Sequence, residues 1–188
     1  NTKVDAQMLK DADVDAVILA IGSSPITIKL EGMDKLQHAS APEVLRHEVC
    51  PKGKVAVIGG GLVGLETADT LATDGCDVTV LEMKDEIGSD LGSLRKIAVM
   101  MKLQQMQVKM LPNSKVCKFT EEGIVLEDET LVPCNCAVFA VGFASNDSHL
   151  LVEECEKRQI PCRVIGDAKS ARRALDAIAE GFEAARTL

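Results

Sequence analysis

The stretch Lys54-Val-Ala-Val-Ile-Gly-Gly-Gly-Leu-Val-Gly-Leu-Glu66, followed by Asp77-Val-Thr-Val-Leu-Glu82, decides how the chain is read. It sets a glycine fingerprint between a buried strand and a helix. Gly59, Gly61 and Gly64 fit the pattern G-x-G-x-x-G. The first permits a tight turn, the second lets a pyrophosphate approach the backbone, and the third lets helix and strand pack closely. Phosphate charge would then sit on a helix N-terminus, where free N–H groups and the helix dipole favour an anion. A lone fingerprint arises by chance in glycine-rich loops, so its flanks matter. Val55 to Ile58 is a continuous apolar run, as in a parallel strand covered on both faces. Leu62, Leu65, Ala68, Leu71 and Ala72 recur at helical spacing, and Gly75 stops that helix. Val78 to Leu81 is a second buried strand closed by Glu82, 18 residues after Gly64, near the roughly 20 expected of the acid that holds an adenosine ribose. The alternative is a glycine turn in a βαβ unit that binds nothing; strand, helix and acid together weigh against it.

Composition narrows the remaining classes. A chain of 188 residues with 46% hydrophobic side chains suits one medium domain or two small lobes and fills a core. The formal charge of −8, with four Phe and neither Tyr nor Trp, argues against a nucleic-acid partner, which needs basic patches and stacking platforms. The longest apolar stretch, Val55 to Leu65, includes three consecutive glycines and falls short of the about 20 residues that span a bilayer, so no membrane segment or signal peptide is expected. The chain opens on Asn1, which suggests a piece of something longer. Seven cysteines, an odd number in a chain with an ample core, read as reduced thiols of a cytoplasmic protein. Cys134-Asn-Cys136 is the one close pair, and C-x-C is neither a C-x-x-C redox centre nor half of a four-cysteine metal site. Buried or half-buried structural thiols are expected there, and no metal site. His38, His47 and His149 have no second ligand at fixed spacing and receive no role.

Around the fingerprint, Ala16 to Ile21 reads as a strand broken at Gly22-Ser-Ser-Pro25. An offset of 120 pairs Leu19-Ala20-Ile21-Gly22 with Phe139-Ala140-Val141-Gly142, as if half-domains had been duplicated. Between them follow a helix with Leu91, Leu94, Ile97 and Met101 on one face and a strand near Gln107 to Leu111. A β-meander is expected from Lys115–Phe119, Gly123–Glu127 and Thr130–Val132. The Met-rich run Val99 to Met110 is expected to be core rather than a soft-metal or partner surface. After Gly142 come a polar stretch, a short strand at Arg163 to Ile165, Gly166-Asp167, and a final helix expected to bury Leu175, Ile178, Phe182 and Ala185.

This order of motifs resembles the two-dinucleotide flavoprotein reductases, over nearly the whole chain. Val57-Ile-Gly-Gly-Gly-Leu-Val-Gly-Leu-Glu66 looks like the fingerprint of their NAD lobe, in which a Glu follows the third glycine by two. Gly75 to Gly88 and Val164 to Phe182 are similar to the NADH:flavin oxidoreductase, 2-enoate reductase and 2,4-dienoyl-CoA reductase family. The resemblance implies an α/β Rossmann-type fold, with an NAD(P)-binding lobe at residues 50–145 inserted between pieces of an FAD lobe at 1–49 and 146–188. It implies that Gly59, Gly61, Leu62, Val63 and Gly64 cradle the NAD pyrophosphate, Glu82 holds the adenosine ribose, and Gly142 borders the nicotinamide. It implies that Gly166 and Asp167 contact FAD. NADH is expected over NADPH, because the Glu82 carboxylate repels a 2′-phosphate; Lys84, two residues on, is the group that would offset this. FMN and an iron–sulfur cluster are expected only in regions outside this sequence. No side chain stands out as a general acid, base or nucleophile. The expected job is electron entry, from NADH to FAD and onward to an enoate or enoyl-CoA, with the rest of the polypeptide as partner. Only one fingerprint is present, so the isolated chain is expected to bind NADH, retain little FAD and not turn over alone. The alternatives are an NADH oxidase or disulfide reductase, whose redox cysteine motif is not seen here, and a non-catalytic NAD-binding module.

Overall fold

A computed structural model describes residues 2–188. In chain order its elements are α1 (Ala6–Asp11), β1 (Val17–Leu19), β2 (Ser23–Pro25), a 3₁₀ turn at Met33–Lys35, β3 (Gln37–Ser40), α2 (Ala41–Leu45), β4 (Lys54–Ile58), α3 (Leu62–Thr73), β5 (Asp77–Leu81) and α4 (Ser93–Gln105). Then come β6 (Lys109–Leu111), β7 (Val116–Thr120), β8 (Gly123–Leu126), β9 (Leu131–Pro133), β10 (Cys136–Phe139), β11 (Phe143–Ser145), α5 (His149–Lys157), β12 (Cys162–Val164), a 3₁₀ turn at Gly166–Ala168 and α6 (Ala174–Thr187). The chain divides into two compact units, Pro25–Gly142 and the flanks up to Ser24 and from Phe143 to Leu188. The expected α/β fold with a parallel sheet, helices and a meander is what the chain adopts.

Pro25–Gly142 is built on a five-stranded parallel sheet in the order β3-β10-β4-β5-β6. Side chains alternate faces along a strand, and both faces here are apolar. Val55 and Val57 of β4 pack with Ala41 and Val44 of α2, Leu65, Ala68 and Leu71 of α3, and Leu103 of α4. Ala56 and Ile58 face the other way, onto Phe119, Ile124, Leu126 and Val132 of the antiparallel β7-β8-β9 meander. Cover on both faces explains why β4 and β10 read as unbroken hydrophobic runs. The fingerprint helix stops as its sequence suggests: Gly75, at φ +85°, donates to Ala72 O while Cys76 N donates to Leu71 O, a Schellman motif.

In the flanking unit β1 pairs in parallel with β12, Ile18 opposite Arg163, and α1 packs against α5. The expected burial of α6 is reversed. Leu175, Ile178 and Phe182 are 76%, 69% and 72% exposed, Ala185 is exposed, and Ala184 is buried. The reason is side-chain size. A Cβ on Gly166 would lie 3.2 Å from Ala177 Cβ, and one on Gly181 3.8 Å from Ile165 Cδ1. The small Ala177–Gly181–Ala184 face lets the helix backbone approach the Gly166 turn, which bulky side chains could not do. On α4, Leu103, with Val99 and Met100 partly buried, faces the core and Leu94, Ile97 and Met101 are exposed. The sequence does not announce α1, β2, β3 or β11, nor two further helices. One is α2, opened by a Ser40/Glu43 capping box in which Ser40 N donates to Glu43 Oε2 at 2.7 Å. The other is α5, which lies inside the stretch read only as polar.

Candidate dinucleotide site

The fingerprint sits at the carboxyl end of β4, where the sheet order turns: α3 leads to β5 on one side, and β10 lies on the other. Open α/β sheets take their ligands in the crevice at such a point. The three glycines play different parts. Gly59 has φ +110°, and a Cβ on it would lie 2.4 Å from Ala140 O; a Cβ on Gly64 would lie 1.9 Å from Gly59 O. Both are required by the protein's own backbone. Gly61 caps α3 in an extended conformation, φ −77° and ψ −174°, which any residue adopts. The three atoms nearest its would-be Cβ are those of the Asp90 carboxylate, the closest at 3.1 Å. Packing does not demand glycine there, so a bare backbone at the mouth of α3 fits the close approach of a phosphate. Leu62 and Val63 form the first turn of α3, and Leu62 N–H donates to both Asp90 oxygens, at 3.1 and 3.0 Å.

Glu82 follows β5 with its backbone fixed on both sides, donating to Leu111 O at 3.0 Å and accepting from Ser114 N at 2.7 Å. Its carboxylate is fixed too: Oε2 accepts from Gly60 N at 2.7 Å and Oε1 from Lys84 N at 2.9 Å. Each oxygen keeps acceptor capacity for a ribose hydroxyl. The middle glycine, which the pattern leaves free, is explained by this contact: a Cβ on Gly60 would lie 2.9 Å from Glu82 Cβ. Gly142, at φ +103°, lies just past β10 and accepts from Ile26 N at 3.0 Å. Glu66 is held by Arg95 at 2.8 Å.

Gly166 and Asp167 belong to the flanking unit. Gly166, at φ +60°, donates its N–H to Glu180 Oε2 at 2.7 Å. Asp167 accepts from Ser23 Oγ at 3.0 Å and from Arg172 N at 3.3 Å. Glu180 also meets Lys169 at 3.2 Å and the Arg172 guanidinium. The Arg172 hydrogen bond, then the Gly166 N–H, holds the Glu180 carboxyl down to about 2 from its ordinary 4.5. A depressed pKa contributes stability that is complete above about pH 4.5 and is lost as the pH falls toward about 2. Glu180→Gln is therefore expected to lower the Tm at neutral pH and to flatten its acid limb between those values. A variant as acid-sensitive as the native chain would place the titrating group elsewhere.

Sequence spacing brought out Gly59, Gly61, Gly64 and Glu82, which the fold brings together. It missed Asp90, Glu180 and Ser23, which act across 28, 14 and 144 residues. A hollow of about 550 Å³ is lined in part by His38, Cys50, Pro51 and Cys136. It lies toward the amino ends of β3 and β10, away from the crevice. Cys134, Cys136 and Cys155 are buried, whereas Cys50 and Cys117 are exposed. Burial pushes the Cys134 and Cys136 thiols up to about 11, and the two belong to different cores. Among the described residues no cluster of three His, Cys, Asp or Glu forms a metal cage, and no helix is long and apolar enough to cross a membrane.

The chain belongs to the pyridine nucleotide-disulphide oxidoreductase family, whose pattern matches residues 2–168. It is 36% identical to a bilirubin reductase of Mediterraneibacter gnavus over 98% of this chain, and 34% identical to a cinnamate reductase of Clostridium sporogenes over all of it. It is 31% identical to an NADH oxidase of Thermoanaerobacter brockii over 96% of its length. The chain spans 29% of each of these proteins. In fold it resembles a 2-naphthoyl-CoA reductase, with a TM-score of 0.87 at 24% identity, covering all of this chain and 29% of that one. The resemblance to enoate-reductase-like flavoproteins thus holds in sequence and in fold.

Proposed function

We propose that this chain is the nucleotide-binding segment of a flavin-dependent oxidoreductase that takes hydride from NADH to FAD for onward reduction of an enoate or enoyl-CoA. The observation that carries the reading is the glycine backbone at the α3 mouth, where Gly61 has no side chain and the adjacent Gly60 N–H, with that of Lys84, orients the Glu82 carboxylate. Residues 50–145 carry the NAD, with 1–49 and 146–188 contributing to the FAD lobe. Gly59 and Gly64 shape the turn, the first turn of α3 receives the pyrophosphate, and Glu82 accepts from the ribose hydroxyls. Gly142 borders the nicotinamide half, while Gly166 and Asp167 serve FAD. When bound, NADH supplies the hydride; the chain's own groups bind and orient it. The name of the C. sporogenes relative, a cinnamate reductase, supports an unsaturated acid as the final acceptor. The T. brockii relative favours molecular oxygen as a second reading. In the full-length protein, anaerobic NADH oxidation that depends on added cinnamate supports the first, and NADH-dependent oxygen uptake without it supports the second.

Cofactor choice tests the site itself. A 2′-phosphate about 4 Å from Glu82 would meet roughly 4 kcal/mol of repulsion at an effective dielectric near 20. Discounted about threefold for solvent and rearrangement, this leaves NADH bound about tenfold more tightly than NADPH. Glu82→Ala is expected to erase that ratio. Equal affinities in the native protein would mean that Lys84 neutralises the phosphate or that Glu82 lies outside the site.

A further inference from the structure

The mouth of α3 already carries an anion. Both Asp90 oxygens accept the Leu62 N–H, and Oδ2 lies 3.1 Å from where a Gly61 side chain would begin. We infer that Asp90 gates the site: its carboxylate competes with a dinucleotide pyrophosphate for the α3 N-terminus and swings away as the nucleotide enters. The inference rests on the reading of the fingerprint as the dinucleotide seat.

Helices are ordinarily capped by the side chain of the N-cap residue itself. Here the N-cap is Gly61, which has no side chain, and the cap comes from 28 residues downstream. A cap delivered from another segment leaves without unwinding the helix. The turn that carries Asp90 holds it at the mouth of α3 by its side chain alone. Asp90 sits in Gly88-Ser-Asp-Leu-Gly92, with Gly88 at φ +67° fastened to the fingerprint through its N–H on Gly60 O at 2.7 Å. At the far end, nothing lies within 4 Å of a would-be Gly92 Cβ. Gly92 caps α4 and accepts from Lys96 N at 2.9 Å, and Leu91 packs on the core, so the turn is held at both ends and it is the Asp90 side chain that rotates. Two anions compete for the Leu62 N–H and repel each other at the same end of a helix dipole, so phosphate entry pushes the carboxylate aside. The gate therefore discriminates by charge: it taxes ligands that bring a phosphate to α3 and ignores those that do not.

Calorimetric titration of the purified protein with ADP-ribose and with adenosine tests this, because only the first carries a pyrophosphate. Asp90→Asn keeps the size and an acceptor oxygen while removing the charge. It is expected to tighten ADP-ribose about five- to tenfold, the worth of one displaced charged cap, and to leave adenosine unchanged. Asp90→Ala serves as a second variant and is expected to act in the same direction with a lower Tm. Unchanged or weaker ADP-ribose binding by a folded variant would reduce Asp90 to a structural cap and overturn the inference, as would equal tightening of adenosine. If ADP-ribose binds neither the native protein nor the variants, the dinucleotide seat itself is misplaced, and the gate falls with it.

Discussion

Gly64→Ala is expected to cost about 3 kcal/mol of stability, a full clash with no flexible partner to absorb it. The added methyl would stand 1.9 Å from Gly59 O, 3.0 Å from Gly59 C and 3.4 Å from Ala140 Cβ. The first two are backbone atoms, so no rotamer change relieves the contact. Gly59 cannot retreat, because at φ +110° its own would-be Cβ position is closed off by Ala140 O at 2.4 Å. Relief comes only by moving α3 off β4, which pulls Leu65, Ala68 and Leu71 from the core they share with Val55 and Val57. Urea unfolding is the measurement: the midpoint should fall while the slope stays constant, since the surface exposed on unfolding does not change. A loss below about 1 kcal/mol would mean that the strand and helix have slack the close approach does not reveal.

How much of this was legible in the sequence depends on whether the signal was local. The β4-α3-β5 unit was readable throughout, because its strands are unbroken apolar runs, its helix has one narrow apolar stripe, and its stop is a glycine in the left-handed conformation. The meander was readable from its turns. Burial on α6 was not. Periodicity identifies an apolar face, but Ala177, Gly181 and Ala184 form a second, smaller face whose advantage is closeness, and hydrophobicity does not register that. α4 shows the same ambiguity, with Leu94, Ile97 and Met101 on one stripe and Val99, Leu103 and Met106 on another. In the site, the glycines and Glu82 obey fixed spacings and were found. Asp90 and Glu180 cap backbone N–H groups of distant segments, and no spacing rule reports a cap delivered through space. The reason for Gly60 was likewise hidden until Glu82 Cβ stood against it.

The same distinction separates the fingerprint glycines experimentally. Gly61→Val is expected to weaken dinucleotide binding by at least about a hundredfold while costing under about 1 kcal/mol of stability. Its extended backbone, φ −77° and ψ −174°, accepts a branched residue without strain. The three atoms nearest its Cβ all belong to the Asp90 carboxylate, the closest at 3.1 Å, the far end of a side chain on a glycine-flanked loop. The fold therefore accommodates valine where it rejects alanine at Gly64. The nucleotide does not, because the branched side chain stands at the point of closest approach and removes the short N–H contacts to the pyrophosphate. Each such charged hydrogen bond is worth about 1.5–3 kcal/mol, so losing one or two accounts for the hundredfold. Calorimetry with ADP-ribose, alongside urea unfolding of the same sample, reads both quantities. Adding Asp90→Asn to Gly61→Val should restore nothing, since the obstruction is then steric and the charge irrelevant. If Gly61→Val binds ADP-ribose like the native protein, the pyrophosphate does not approach the chain at the α3 mouth, and the different demands on Gly61 and Gly64 reflect packing alone.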